Sequence, residues 1–304
     1  MVLKIKAESY KEICNKILFE VQNMFFIPFI FTKKTRYNSV SKISVYFITY
    51  FFPVFLVAFL ENFNAGISIS RFFIPFLFSF VSYINIYEIG YIWNECETIK
   101  KEENPTKRLS EKNLEFYEKR KIVIYIERFF ITITLNFMLS FFISRKSLIL
   151  FSSAELLSLI VFFIYNNVRG KITQLIYLFL SILKYTSVLF CFSENLSVSV
   201  FIAAIFVFPL VRTMEYKAHY GTDSNINLFF RKYIIRYDIS KITVFRVWAT
   251  LILLALSIIL KLFNICNWIP AICCSYIFVY RFALFVAVKC GAKFKGYLKT
   301  DERL

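Results

Sequence analysis

Two stretches of the sequence gather side chains able to hold phosphate or metal: YEIGYIWNECETIKKEENPTKRL, Tyr87 to Leu109, and PLVRTMEYKAHYGTD, Pro209 to Asp223. In the first, Glu88, Glu95 and Glu102 fall seven apart, and on a helix they share a face with Tyr91 and Asn94. Glu97 and Glu103 lie beside them, and Lys100, Lys101, Lys107 and Arg108 follow at once. Carboxylates and an amide oxygen are hard ligands that suit Mg2+, whereas Lys and Arg suit phosphate oxygens. In the second stretch Glu215, His219 and Asp223 fall four apart, with Arg212 a turn earlier, so a helix would again present one polar stripe. His219 is the only histidine, which excludes a His-based zinc cluster. No Gly-rich phosphate loop, nucleophile elbow or metalloprotease motif is present. The plainer alternatives stay open: solvated helix ends laced with charge pairs, and a hydrogen-bonded structural histidine.

The elements that carry these stripes follow from composition. The 304 residues are 58% apolar, with 39 Phe and only six Gly and six Pro, too hydrophobic for a soluble domain and too poor in turn residues for a β-barrel. Apolar runs long enough to cross hydrocarbon as helices, about 17–25 residues, are centred near 43–60, 67–92, 121–143, 147–165, 172–191, 196–212, 242–263 and 266–288. An all-α polytopic transmembrane bundle in one domain is expected, with eight spans and room for a ninth. Two long polar loops, 93–120 and 213–241, would hold the chemistry. The first 35 residues show no signal peptide and suggest an amphipathic interfacial helix with Ile5, Tyr10, Ile13, Ile17 and Phe19 close together. Glu88 sits within or at the edge of the second span, where an acid costs roughly 2.5–3.5 kcal/mol and generally has a job.

The net charge of +17 reads as topology and needs no nucleic-acid partner. Segments 1–42, 93–120, 166–171, 213–241 and 289–304 hold most of the Lys and Arg, while the opposite side has only Arg71, Arg145 and Lys146. The positive-inside rule then places both termini in the cytoplasm and the protein in an inner or plasma membrane. The seven cysteines show no metal-type spacing and read as reduced packing residues.

Taken with its two polar loops after the second and sixth spans, the sequence resembles the UbiA superfamily of intramembrane prenyltransferases. That family's first loop reads approximately NDxxDxxxD; here the matching positions are Asn94, Glu95, Thr98 and Glu102. Its second, DxxxD, corresponds to Glu215 and His219, followed by Asp223. The stretch YNNVRGK, Tyr165 to Lys171, and LKY, Leu183 to Tyr185, are similar to a Tyr and basic residues the family places after its fourth span. The first-loop stretch resembles UbiA-like proteins associated with bacterial surface-polysaccharide genes. Departures are the scarcity of Asp, Thr98 in place of a ligand, and eight spans where the family typically has nine.

The resemblance implies a Mg2+-dependent transferase acting on a diphosphate donor. Metal ligands would be Asn94, Glu95, Glu102, Glu215 and Asp223, with His219 also in the catalytic group. Substrate binding would fall to Tyr91, Lys101, Lys107, Arg108, Tyr165, Arg169, Arg212 and Lys217. In one branch phosphoribosyl pyrophosphate is the donor and polyprenyl phosphate the acceptor, giving a lipid-linked glycan precursor; in others a prenyl diphosphate alkylates an aromatic acceptor. The opposing class is a receptor, channel or flippase, in which Glu127, Arg128, Glu155, Lys184, Arg246 and Arg281 form interhelical pairs.

Overall fold

A computed structural model describes residues 24–64, 69–101, 107–168, 172–192, 197–220 and 239–291, excluding the side chains of 64, 69, 70, 216–220 and 239. Among them there are helices and no strand. The helices are α1 (Ile30–Thr35), α2 (Val40–Tyr46), α3 (Phe52–Asn64), α4 (Ile69–Cys96), α5 (Glu111–Leu139), α6 (Arg145–Asn167), α7 (Thr173–Thr186), α8 (Val198–Val207), α9 (Pro209–Tyr220), α10 (Ile239–Leu262) and α11 (Ile269–Lys289). They supply eight segments long and apolar enough to cross a membrane: 40–63, 71–101, 111–139, 145–167, 173–191, 198–215, 240–262 and 269–289. This is an all-α polytopic membrane protein. The amphipathic helix expected near the N-terminus lies outside the described residues.

The expected 93–120 loop is largely helical. Residues 93–96 complete α4, Thr98–Lys101 form a 3-10 turn, and α5 starts at Glu111, about ten residues before the apolar run. Ser110 explains the early start: its side chain accepts a hydrogen bond from the Asn113 N–H, and Glu111 places negative charge in the first turn, where the helix dipole favours it.

The chain divides into two compact units, Met1–Tyr46 with Ile74–Asn167, and Phe47–Phe73 with Val168–Leu304. In the first, α4 passes so close to α6 that a Cβ on Gly90 would sit 2.1 Å from the Phe162 ring. Asn166 Nδ2 donates to the Gly90 carbonyl at 3.1 Å, and Tyr87 and Tyr91 close around the same phenyl ring. Glycine is required by that approach. A polar seam also runs through this unit. Asn85 on α4 donates to the Arg128 carbonyl and to Thr132 on α5, and Ser82 and Asn136 meet Glu155 of α6.

In the second unit a π-helical turn, Phe47–Phe51, joins α2 to α3 within one span. The carbonyls of Ile48 and Thr49 in that turn accept from the Tyr276 and Tyr185 hydroxyls at 3.0 and 2.6 Å. Such partners make a widened turn tolerable in a low-dielectric setting, where an unpaired carbonyl is costly. The sixth span is broken at Phe208, before Pro209, which cannot continue the hydrogen-bond ladder of α8. Antiparallel α10 and α11 are joined by a tight turn in which Asn264 adopts a left-handed conformation and Asn267 Oδ1 accepts from the Ile269 N–H. The Cys266 thiol in that turn is pushed up from its ordinary pKa by burial and donates to the Ser257 carbonyl at 3.9 Å, behaviour of a packing residue.

Candidate functional site

The three acids the sequence singles out most strongly are all paired with arginine. Glu88, on α4, is 1% exposed. Its Oε2 accepts from Arg128 Nη1 and from the Phe29 N–H, both at 2.8 Å, and its Oε1 accepts from the Thr32 N–H at 2.7 Å. Phe29 is the N-cap of α1 and has no side-chain acceptor with which to cap it, so Glu88 performs the capping from another helix. Phe29 holds φ at 72°, a conformation costing a bulky residue roughly 1–3 kcal/mol. Arg128, fully buried, also donates to the Phe25 and Ile27 carbonyls and to Asn85 Oδ1. The pair therefore fastens residues 25–32 to α4 and α5.

One heptad further along α4, Glu95 is 2% exposed, and its Oε1 is the meeting point of three donors: Arg36 Nη2 at 2.6 Å, Arg108 Nη1 at 2.5 Å and the neighbouring Asn94 amide at 3.3 Å. Here the arginines reach solvent, their side chains being 26% and 35% exposed against 1% for the carboxylate. The Arg36 guanidinium lies 4.5 Å from the centre of the Tyr91 ring, and its buried Nε has no hydrogen-bond partner among the described residues. Lys101 and Lys107 are exposed at the same end of α4 and the start of the next segment. Glu97 takes no part in this group. It accepts from Lys100 and from the Tyr117 hydroxyl, both at 2.9 Å, with Lys121 3.8 Å away, while Lys100 also bridges to Glu118.

In the other unit Glu215, on α9, is 1% exposed and held by a fork from α10: Arg246 Nε to Oε1 at 2.6 Å and Nη2 to Oε2 at 2.8 Å. Arg212, one turn earlier on α9, adds a bond to Oε2 at 2.7 Å, and Arg281 on α11 contributes a further positive field. Arg212 also engages Tyr177 of α7. Bidentate pairing spends both carboxylate oxygens.

The sequence-expected residues thus separate. Asn94, Glu95, Tyr91 and Arg108 come together, and Arg212 with Glu215 does so in the other unit. Tyr165 packs its ring against Phe162 near the end of α6. Glu102, Arg169 and Asp223 lie outside the described residues, as do the side chains of Lys217 and His219, whose backbone belongs to α9. Arg36 was not anticipated. Its partner is 59 positions away, so no local spacing announces it.

The donor chemistry favours anions. Among the described residues no three His, Cys, Asp or Glu side chains assemble that could hold a metal ion. Glu95 and Glu215 face guanidinium groups, which a magnesium ion would have to displace, so these two residues do not fit a resident metal. Two guanidinium groups around one carboxylate leave a net positive charge, with donor edges still available for phosphate oxygens. Comparisons with protein-family models, with curated proteins and with solved structures found no match.

Proposed function

We propose that this chain is a membrane-embedded transferase of the UbiA-like type the sequence resembles, taking a phosphorylated donor with a diphosphate leaving group and a lipid acceptor. The product expected is a polyprenyl-phosphate-linked sugar for a surface glycan. Phosphoribosyl pyrophosphate is the donor of choice and polyprenyl phosphate the acceptor, on an inner or plasma membrane with both termini cytoplasmic. The observation that carries the reading is the Glu95 cluster, a buried carboxylate holding two partly exposed arginines, one stacked on Tyr91. A carboxylate so placed fixes the guanidinium planes in advance, and preorganised donors are what a departing diphosphate requires as negative charge builds on it. Arg36 and Arg108 would bind and orient the diphosphate, with Lys101 and Lys107 adding positive charge. Magnesium, in this reading, travels with the diphosphate it neutralises and is not held in advance by the protein.

A second, non-enzymatic reading as a receptor, channel or flippase draws support from one observation, the complete engagement of Glu215 by Arg246 and Arg212, which is how a purely structural acid would be held. A transfer assay separates the two. Purified protein in lipid would be given radiolabelled phosphoribosyl pyrophosphate with polyprenyl phosphate, and in parallel prenyl diphosphate with aromatic acceptors. Turnover lost in Arg36→Ala and Arg108→Ala supports the transferase; absence of both turnover and diphosphate binding in the wild type favours the non-enzymatic class.

A further inference from the structure

Near the middle of α6, Glu155 is 2% exposed, and the side chains acting on it are Asn136 and Ser82, with no cation among them. An ionised carboxylate in the middle of a membrane span is expensive unless something neutralises it. Three short contacts form a closed ring around it: Ser82 Oγ to Glu155 Oε1 at 2.6 Å, Ser82 Oγ to Asn136 Oδ1 at 3.1 Å, and Asn136 Nδ2 to Glu155 Oε2 at 2.7 Å.

Each contact needs one hydrogen. Ser82 has a single hydroxyl hydrogen and Asn136 brings one amide hydrogen into the ring, its other serving Ser152 Oγ at 3.3 Å. With Glu155 ionised, three contacts share two hydrogens, and Ser82 Oγ would face two acceptors with one proton to give. Reversing the Asn136 amide does not help. The amide nitrogen then donates to Ser82, Ser82 donates to Oε1, and two oxygens are left 2.7 Å apart with nothing between them. In either orientation the missing hydrogen belongs on Glu155. As a carboxylic acid it donates to Ser82, Ser82 donates to Asn136, and Asn136 donates back to Glu155.

We propose that Ser82, Asn136 and Glu155 form a proton-binding site inside the membrane span, in which a bound proton neutralises the carboxylate and closes a ring joining α4, α5 and α6. Among the described residues the side chains hydrogen-bonded to Glu155 are Ser82 and Asn136, and Asn136 in turn donates to Ser152. Of the titratable groups along the seam, the Tyr83 hydroxyl donates to Ser158 one turn from Glu155, and Glu88 is paired with Arg128, with Asn85 and Thr132 between that pair and the ring. Proton loss would open the ring and loosen α4, the helix bearing Glu88 and Glu95. This inference stands independently of the transferase reading.

The test uses the full chain in lipid nanodiscs. Infrared difference spectra of wild type against Glu155→Gln at neutral pH are expected to show a protonated-carboxyl stretch in the wild type alone. The side-chain amide introduced by Glu155→Gln carries its own hydrogen and can close the same ring. That variant should therefore unfold at a temperature independent of alkalinisation over the range in which the wild type loses stability. The sign follows from linkage: the folded chain holds a proton that an exposed glutamate releases, so stability falls as pH rises. Ser82→Ala, which keeps the carboxyl and opens the ring, should shift the carboxyl band. A carboxylate signature for Glu155 at neutral pH, an unshifted band in Ser82→Ala, or wild-type stabilisation by sodium over choline would each overturn the proposal, the last in favour of a metal cation.

Discussion

Glu88 and Glu95 lie seven residues apart on one helix, both are buried, and both meet arginine, yet their surroundings differ in kind. Glu88 is sealed: its partner Arg128 is inaccessible, and the remaining bonds on both sides run chiefly to backbone groups of residues 25–32. Glu95 is open: its partners are side chains, both arginines partly exposed, and one keeps an unspent buried Nε. A buried acid paired with arginine is thus not one kind of object. Where the pair satisfies backbone groups it ties segments together; where it gathers exposed cations it organises a surface for an anion. The same sequence step along the helix yields a clamp at one level and a ligand-facing group at the next.

The contrast breaks first at the clamp. Arg128→Leu strands Glu88 in a buried site and should cost about 3–5 kcal/mol, read as a fall in unfolding temperature in detergent; Glu88→Leu added to it should recover much of the loss. Next comes Gly90→Ala, where the new methyl meets the Phe162 ring and should cost about 1–3 kcal/mol in the same measurement, with Phe162→Ala partly compensating. At the open site the pattern inverts. Arg36→Ala or Arg108→Ala, each of which leaves Glu95 one guanidinium partner, should change stability by under ~1 kcal/mol but weaken pyrophosphate binding about 10- to 100-fold, measured by titration calorimetry. That binding should also fall steeply with added salt, as expected for exposed cations. The smallest effect is expected at Lys100→Ala, which removes surface pairs with Glu97 and Glu118 and should leave both readings nearly unchanged.

Much of this was legible in the sequence, for a definable reason. Span positions follow from local apolar content, so the expected runs coincide with the observed segments to within a few residues except at α5 and at the end of the second, which runs to 101 where 92 was expected. There, charged residues 111–121 disguised the first turns of a helix as loop; Ser110 with Glu111 was the available signal, a cap followed by an acid. The interhelical pairing expected of Arg128 and Arg246 under the non-enzymatic reading is seen, with Glu88 and Glu215 as their partners, whereas Glu155, included in the same expectation, meets Ser82 and Asn136 instead of a cation. Their identities were beyond a local reading, because the pairings join residues 40 and 31 positions apart. A longer separation, 59 positions, hid Arg36, and no periodicity could show that Glu88 caps a helix whose own N-cap is phenylalanine.

The division of labour between Glu88 and Glu95 is tested most directly by thermal unfolding of the full chain in nanodiscs, with and without inorganic pyrophosphate, for the wild type and for Arg36→Ala/Arg108→Ala/Glu95→Gln, in which no buried carboxylate is left without its cations. A ligand that binds only the folded chain raises the unfolding temperature in proportion to its occupancy. The expected result is a concentration-dependent rise in the wild type and none in the triple variant, with both chains unfolding at nearly the same temperature when pyrophosphate is absent. An equal rise in both, or a triple variant that is already strongly destabilised without ligand, would contradict the assignment of Glu95 and its arginines to anion recognition.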